Sequence, residues 1–327
     1  GLRRDLRSPA RRDAGKQTCQ ACKELQCPES CPSWQGLHAA MLCIGLDNYS
    51  HISKLPNAMR DAHALQKQAN TVPQCKAELL ENPRNAVTLT RGIKKFLNRD
   101  GLRQSPPKVV MIAYFGHGMQ QGKVYLLPAE VNPDDTYCSP DHEFVALSQV
   151  FQFCADYDLH ARKMTPPKEV TFVLLFDACR SGGLQEISLA SQLDPQSSNA
   201  PTKWALCFSC SQHMEASDGI AGEHSPFALG LLDQKTGIFA KGVSLKEALE
   251  AACNRLGQTT GAAGQSPVSV SLNKLEDLCT YPAPKALTSA HPRDNAPSEL
   301  PEFMEDSRLV QKVGVGHVDL RQFTGRD

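Results

Sequence analysis

Apolar runs and polar turns alternate along this chain with two distinct periods. Lys108–Phe115 and Val170–Phe176 are nearly unbroken apolar stretches rich in β-branched and aromatic residues. Such stretches read as strands buried on both faces. Ala39–Leu46, Trp204–Ser209 and Val268–Leu272 read as further strands, Glu78–Glu81 as a short one and Val124–Leu127 as a hairpin-like return. Between them the period lengthens. Asn57–Ala69 carries apolar residues at 58, 62, 65 and 69, one face of an amphipathic helix. Thr90 is placed to cap a helix running to about Asn98 with Ile93, Phe96 and Leu97 inward. Ser148–Tyr157 predicts another helix. Ser244 and Glu247 form a capping box for a helix to Leu256 with Leu245, Ala248, Leu249, Ala252 and Leu256 inward. Strands alternating with helices predict an α/β fold, a mainly parallel central sheet flanked by helices.

Composition narrows the class. The 327-residue chain is 41% hydrophobic, enough for a core, and its 35 basic and 35 acidic side chains cancel. That balance argues against nucleic acid and anionic membrane as partners. No apolar run reaches membrane-spanning length. The chain opens at Gly1 without a charged-then-apolar leader and reads as a fragment. Thirteen cysteines are an odd count, and Cys43, Cys207 and Cys253 fall inside predicted elements, where a free thiol acts as a small hydrophobe. That usage predicts a reducing compartment, cytoplasm or nucleus. Residues 1–37 read as a disordered Arg- and Cys-rich arm, 38–280 as the folded domain, and 281–327 as a proline-punctuated disordered tail. Cys19, Cys22, Cys27 and Cys31 make a candidate zinc site. The four residues between the two pairs are fewer than zinc modules use, so a redox-sensitive tail is the competing reading.

Two predicted strands end in polar turns that carry chemistry. Val109–Phe115 runs into Gly116-His117-Gly118, and Val170–Phe176 into Asp177-Ala178-Cys179-Arg180-Ser181-Gly182-Gly183. Carboxyl ends of parallel strands are where α/β proteins gather ligands and reacting groups. A thiol attacks as thiolate, and His117 is placed to act as the base for Cys179. The N–H groups of Gly118 and Cys179 are candidate oxyanion donors, each typically worth roughly 3 kcal/mol in a transition state. A single strand-end histidine or cysteine is commonly structural. Their joint placement makes a cysteine hydrolase the leading expectation.

At these residues the chain resembles the caspase-like cysteine peptidases of clan CD, family C14. Tyr114-Phe115-Gly116-His117-Gly118 and Asp177-Ala178-Cys179-Arg180-Ser181-Gly182-Gly183 look like that family's His and Cys motifs. The Asp-x-Cys form is similar to the metacaspase, orthocaspase and paracaspase branch, closest in pattern to paracaspase-like domains. Met41–Tyr49, Leu55–Ala62, Gly122–Ala129 and Ser225–Leu232 resemble other family segments, so the likeness spans about residues 38–280. It implies a caspase-like three-layer sandwich and endopeptidase activity on protein or peptide substrates. It also implies cleavage after arginine or lysine, with Asp47, Asp177 and Glu215 matching acidic residues of the S1 pocket. Carboxylates favour a guanidinium through bidentate geometry. Asp177 is the firmest of the three, because an aspartate ending an apolar strand is costly without a purpose. No cofactor is implied for catalysis. Calcium activation is left open, since Asp134, Asp135 and Asp141 do not make a convincing ligand set. The loop at 184–202 is the expected self-cleavage region, with Lys203 a fitting basic residue and Arg162 or Lys163 alternatives in an earlier loop. A homodimer through the last sheet strand is a further expectation. The competing reading is an inactive caspase homologue serving as scaffold or regulator.

Overall fold

The computed structural model describes residues 36–121, 123–132, 140–179, 201–210, 216–259, 267–270 and 278. The four amino-terminal cysteines, Asp134, Asp135, Glu215, residues 184–200 and the tail from 281 lie outside the described residues, as does the side chain of Asp141.

In chain order the first half comprises β1 (Ala39–Gly45), α1 (Ala58–Ala69), β2 (Cys75–Glu81), α2 (Ala86–Leu97), α3 (Asp100–Gln104), β3 (Val109–Phe115), β4 (Gly118–Gln121) and β5 (Lys123–Leu126). There follow α4 (Pro140–Glu143), β6 (Val145–Ala146), α5 (Leu147–Arg162), β7 (Thr171–Asp177), β8 (Lys203–Phe208), α6 (Pro226–Leu231), α7 (Leu245–Thr259) and β9 (Val268–Val270). The main sheet has the order β2-β1-β3-β7-β8-β9, with β9 antiparallel to β8 and every other pair parallel. A small antiparallel sheet, β4-β5-β6, follows the His-bearing strand.

Strand alternation decides what each face covers. Leu42, Ile112, Leu174 and Leu206 line up in register across four strands and face the core shared with α2 and α5. Met41, Met111, Val173 and Ala205 form the next row and face the other core, shared with α1, α6 and α7. Burying one such Leu or Ile typically contributes about 1.5–3 kcal/mol, which is why β1, β3 and β7 are buried along their whole length. The same parity sends Asp177 to the α1 and α6 face. The chain passes from β1 outward to β2 and then back across to β3, so the direction of winding reverses between β1 and β3. The crevice at such a reversal is the usual ligand site of an open α/β sheet.

Most predicted elements form where the periodicity places them, and the α/β architecture is as expected. The Ser244 box is made as read: the Ser244 hydroxyl accepts the Glu247 N–H at 3.2 Å, and Glu247 accepts the Ser244 N–H at 3.0 Å. The helix expected from Thr90 begins earlier, at Ala86. Asn85 caps it, accepting the Thr88 N–H at 3.0 Å, while the Thr88 hydroxyl accepts the Asn85 N–H at 3.0 Å. Arg162 lies in the last turn of α5 and bridges to Asp158 at 3.2 Å rather than lying in a loop. Lys203 opens β8, bridged to Glu169 at 2.6 Å.

Candidate active site

The His-bearing turn is fixed by neutral groups. The His117 N–H donates to the Tyr49 hydroxyl at 2.7 Å, and the His117 carbonyl lies 2.7 Å from the Tyr114 hydroxyl. Both tyrosine hydroxyls also reach the Leu127 carbonyl, at 3.3 and 2.9 Å. They press over Gly116, where a Cβ would meet them at 2.7 and 2.8 Å, so no other residue fits there without displacing both rings. Burial raises the pKa of each tyrosine, keeping both hydroxyls neutral. The imidazole stands edge-on to the Tyr49 ring, centroids 4.7 Å apart. Its Nε2 lies 2.8 Å from the Ser53 carbonyl oxygen. A carbonyl only accepts, so Nε2 carries a proton and, in the neutral ring, Nδ1 is left as the basic nitrogen.

Gly118 brings this turn against the cysteine. A Cβ at Gly118 would lie 2.7 Å from the Cys179 carbonyl oxygen, and the Gly116 N–H donates to the Asp177 carbonyl at 3.2 Å. The Leu127 N–H donates to the His117 carbonyl, which makes Gly118 a non-hydrogen-bonded position opposite Leu126. The Gly118 N–H therefore points away from β5. Cys179 is half-buried. Its Sγ lies 3.4 Å from the Ala216 N–H donor and 4.0 Å from the Ala216 carbonyl.

Behind the cysteine lies a cluster of carboxylates. Asp177 accepts the Ser225 hydroxyl at 2.5 Å, and the same hydroxyl caps α6 by accepting the Ala228 N–H at 3.0 Å. Asp61 of α1 accepts the Ser225 N–H at 3.1 Å and meets His224 Nδ1 at 2.6 Å. Asp218 accepts the Asn57 N–H at 3.1 Å, and the Asn57 side chain holds the Asp218 and Ile220 carbonyls and the Gly222 N–H. Asn57 stands at the α1 N-cap position, yet its side chain makes no capping bond and instead bolts the loop at 218–222 to the helix. Burial pushes the Asp177 carboxyl up to about 7, against the Ser209 and Ser225 hydrogen bonds, with Asp61 and Asp218 pushing the same way as burial. Burial raises Asp218 to about 6, opposed by the Asn57 N–H and aided by Asp61. Asp61 is also raised by burial, despite its bonds to His224 and Ser225. Leu55, Ala58, Gly116, Asp177, Cys179 and Asp218 line a recess of about 20 Å³, room for a single water.

The structure thus brings His117, Gly118, Cys179 and Asp177 to one place. Asp47 follows β1, where its carboxylate accepts the Asn82 side-chain N–H at 2.9 Å and its backbone N–H donates to the same side chain; it is not among the residues lining this recess. Glu215 lies outside the described residues. Asp61, Asp218, His224, Ser225, Tyr49 and Ser53 were not anticipated. Asp61 had a signal: it falls on the inward stripe of α1 between Ala58 and Leu65, and an acid on a buried stripe is as costly as one ending an apolar strand. Among the described residues no three His, Cys, Asp or Glu side chains group as metal ligands, and no helix is long and apolar enough to cross a membrane.

A parallel sheet whose carboxyl edge sets a histidine turn against a cysteine turn is the frame of a cysteine peptidase-like protein. The caspase-domain model of peptidase family C14 matches residues 39–277, well over half of the chain, and the chain belongs to that family. No curated protein gives a significant match to the chain.

Proposed function

We propose that the protein is a cysteine endopeptidase that cleaves after arginine or lysine. The observation that carries this reading is the lock of His117 Nε2 on the Ser53 carbonyl, with Gly118 pressed against the Cys179 backbone. In this mechanism His117 Nδ1 takes the thiol proton and the Cys179 thiolate attacks the scissile carbonyl carbon. The Gly118 and Cys179 N–H groups hold the oxyanion. The proton then passes from His117 to the leaving amine, and water attacks the thioester to release the acid and restore the thiol.

Asp61, Asp177 and Asp218 support a basic P1 side chain. A guanidinium entering beside them supplies the charge that the buried carboxylates lack, whereas an aspartate would be repelled. The recess admits a P1 side chain only once Ala216–Asp218 shift, since Ala216 contacts Sγ and the present space holds one water. That occupation of the thiol is what favours the second reading, an inactive scaffold. β9 lies at the edge of the sheet, where a homodimer would form.

Fluorogenic peptides ending in Arg, Lys and Asp, with and without calcium, separate the readings. Turnover of the Arg and Lys peptides, abolished in Cys179→Ala and His117→Ala with unfolding temperatures unchanged, is the expected result. No turnover of any peptide by the wild type supports the scaffold.

A further inference from the structure

Two thiols meet where α7 lies on the main sheet. Cys207 of β8 and Cys253 of α7 are 46 positions apart in sequence, and their Sγ atoms are 3.4 Å apart. Cys207 is fully buried and Cys253 half-buried. A disulfide holds its sulfurs at about 2.05 Å, so the pair closes if each sulfur moves by less than about 1 Å. The helix around Cys253 is already fixed in place. Gly230 of α6 lies so close to Ala252 that a Cβ on it would meet the Ala252 Cα at 2.7 Å. Arg255 bridges to Asp233 at 3.3 Å, and Leu249, Ala252 and Leu256 share the core that holds Cys207.

The two sulfurs differ in a way that core filling does not require. A buried thiol that acts as a small hydrophobe needs no second thiol facing it. Cys210, also buried, donates its S–H to the Ala178 carbonyl at 3.2 Å. In the pair, the hydrogen bond from Cys207 lowers the pKa of Cys253, against burial and Glu250, while the same bond and burial raise that of Cys207. The thiolate therefore forms on the sulfur nearer solvent, with a second thiol behind it as resolving partner.

We propose that Cys253 and Cys207 form a peroxide-reactive pair that closes to a disulfide and clamps α7 to β8. The Cys253 thiolate attacks one oxygen of a hydroperoxide and the O–O bond breaks. The other oxygen leaves as hydroxide or alkoxide and takes up the proton released by Cys253. The Cys207 sulfur then attacks the sulfur of the Cys253 sulfenic acid, the S–O bond breaks, and hydroxide leaves with the Cys207 proton as water. The two thiols together lose two electrons, the peroxide gains them, and an external thiol reverses the closure. Neither thiol lines the recess at Cys179, so the pair is independent of the peptidase reading.

The test is peptide mapping by mass spectrometry on the full chain carrying Cys179→Ala, which removes a competing thiol. The protein is treated with hydrogen peroxide, then denatured and alkylated before digestion. The expected product is a cross-link between the Cys207 and Cys253 peptides, reversed by dithiothreitol. With Cys207→Ala added, Cys253 should stop at the sulfenic acid and take up dimedone. With Cys253→Ala added, Cys207 should stay a thiol, its oxidation slowed at least about tenfold. Closure should raise the unfolding temperature by about 5 °C or more over equally treated Cys253→Ala. Alkylation of both thiols with no cross-link, a cross-link from Cys253 to a different cysteine, or undiminished oxidation of Cys207 in Cys253→Ala overturns the proposal. An unfolding temperature no higher after closure overturns the clamp.

Discussion

The two walls of the site meet within one turn of each other but are built from opposite materials. The histidine wall is neutral: two buried tyrosine hydroxyls, a backbone carbonyl and a glycine that nothing else could replace. The cysteine wall is ionic: Asp177 and Asp218 line the recess, Ser225 bonds both Asp177 and Asp61, Asp61 meets His224, and burial raises Asp177 to about 7 and Asp218 to about 6. A neutral hydrogen-bonded frame fixes a ring's tautomer and direction without responding to pH. A cluster of buried like charges is costly while empty and becomes favourable when a cation arrives. On the proposed reading geometry and charge recognition are separable here, and each can be broken without the other.

The largest effect expected on the ionic wall comes from Asp177→Asn, which keeps an acceptor for the Ser225 hydroxyl but removes the charge. Breaking a buried ion pair typically costs about 3–5 kcal/mol, so kcat/KM for an Arg peptide should fall by about 10²–10⁴, as steady-state kinetics would record. Asp61→Asn should act in the same direction. On the neutral wall, Gly118→Ala drives a Cβ into the Cys179 carbonyl and should lower kcat by about 10² through misplacement, for Arg and Lys peptides alike. Tyr49→Phe, which removes the acceptor of the His117 N–H, should cost about 1–2 kcal/mol, or roughly tenfold in kcat, with the P1 preference intact.

The pH responses sharpen the contrast. Asp218 near 6 and Asp177 near 7 must ionise to meet a P1 cation, so kcat/KM for the Arg peptide should rise across this window. The rise should persist in Tyr49→Phe and shift in Asp177→Asn. In the unliganded protein the sign reverses. An unfolded aspartate loses its proton near pH 4, whereas folded Asp177 keeps its own to about 7. Between those values the folded state holds more protons, so stability should fall as pH rises. Thermal unfolding of Asp177→Asn should show a flatter decline. Smallest of all should be Asp47→Asn: its partner is Asn82, and the Arg-to-Lys preference should change by less than about threefold.

Strands and motifs were legible in the sequence because one variable, burial on both faces, writes them as apolar runs ending at glycines. The carboxylate cluster was legible only at Asp177, which interrupts such a run. Asp61 hides within an amphipathic helix, and Asp218 and Ser225 belong to a polar loop where acids and serines are ordinary. Their meaning comes from Asn57 tying that loop to α1, a contact spanning more than 160 positions that no local pattern encodes. The bond between Asp47 and Asn82 joins the ends of β1 and β2, a pairing across the sheet edge that no local pattern encodes either. The α2 start was misplaced because Asn85 and Thr88 cap reciprocally without the acidic residue that usually flags the motif.

The central claim is that Cys179 is a nucleophile served by a cation-accepting recess. Intact-mass measurement after incubation with a peptidyl-arginine acyloxymethyl ketone tests it directly. One inhibitor mass on the wild type is predicted, localised to Cys179, absent in Cys179→Ala and much slower in Asp177→Asn. An unlabelled wild type, or faster labelling by the matching aspartyl ketone, would contradict the account.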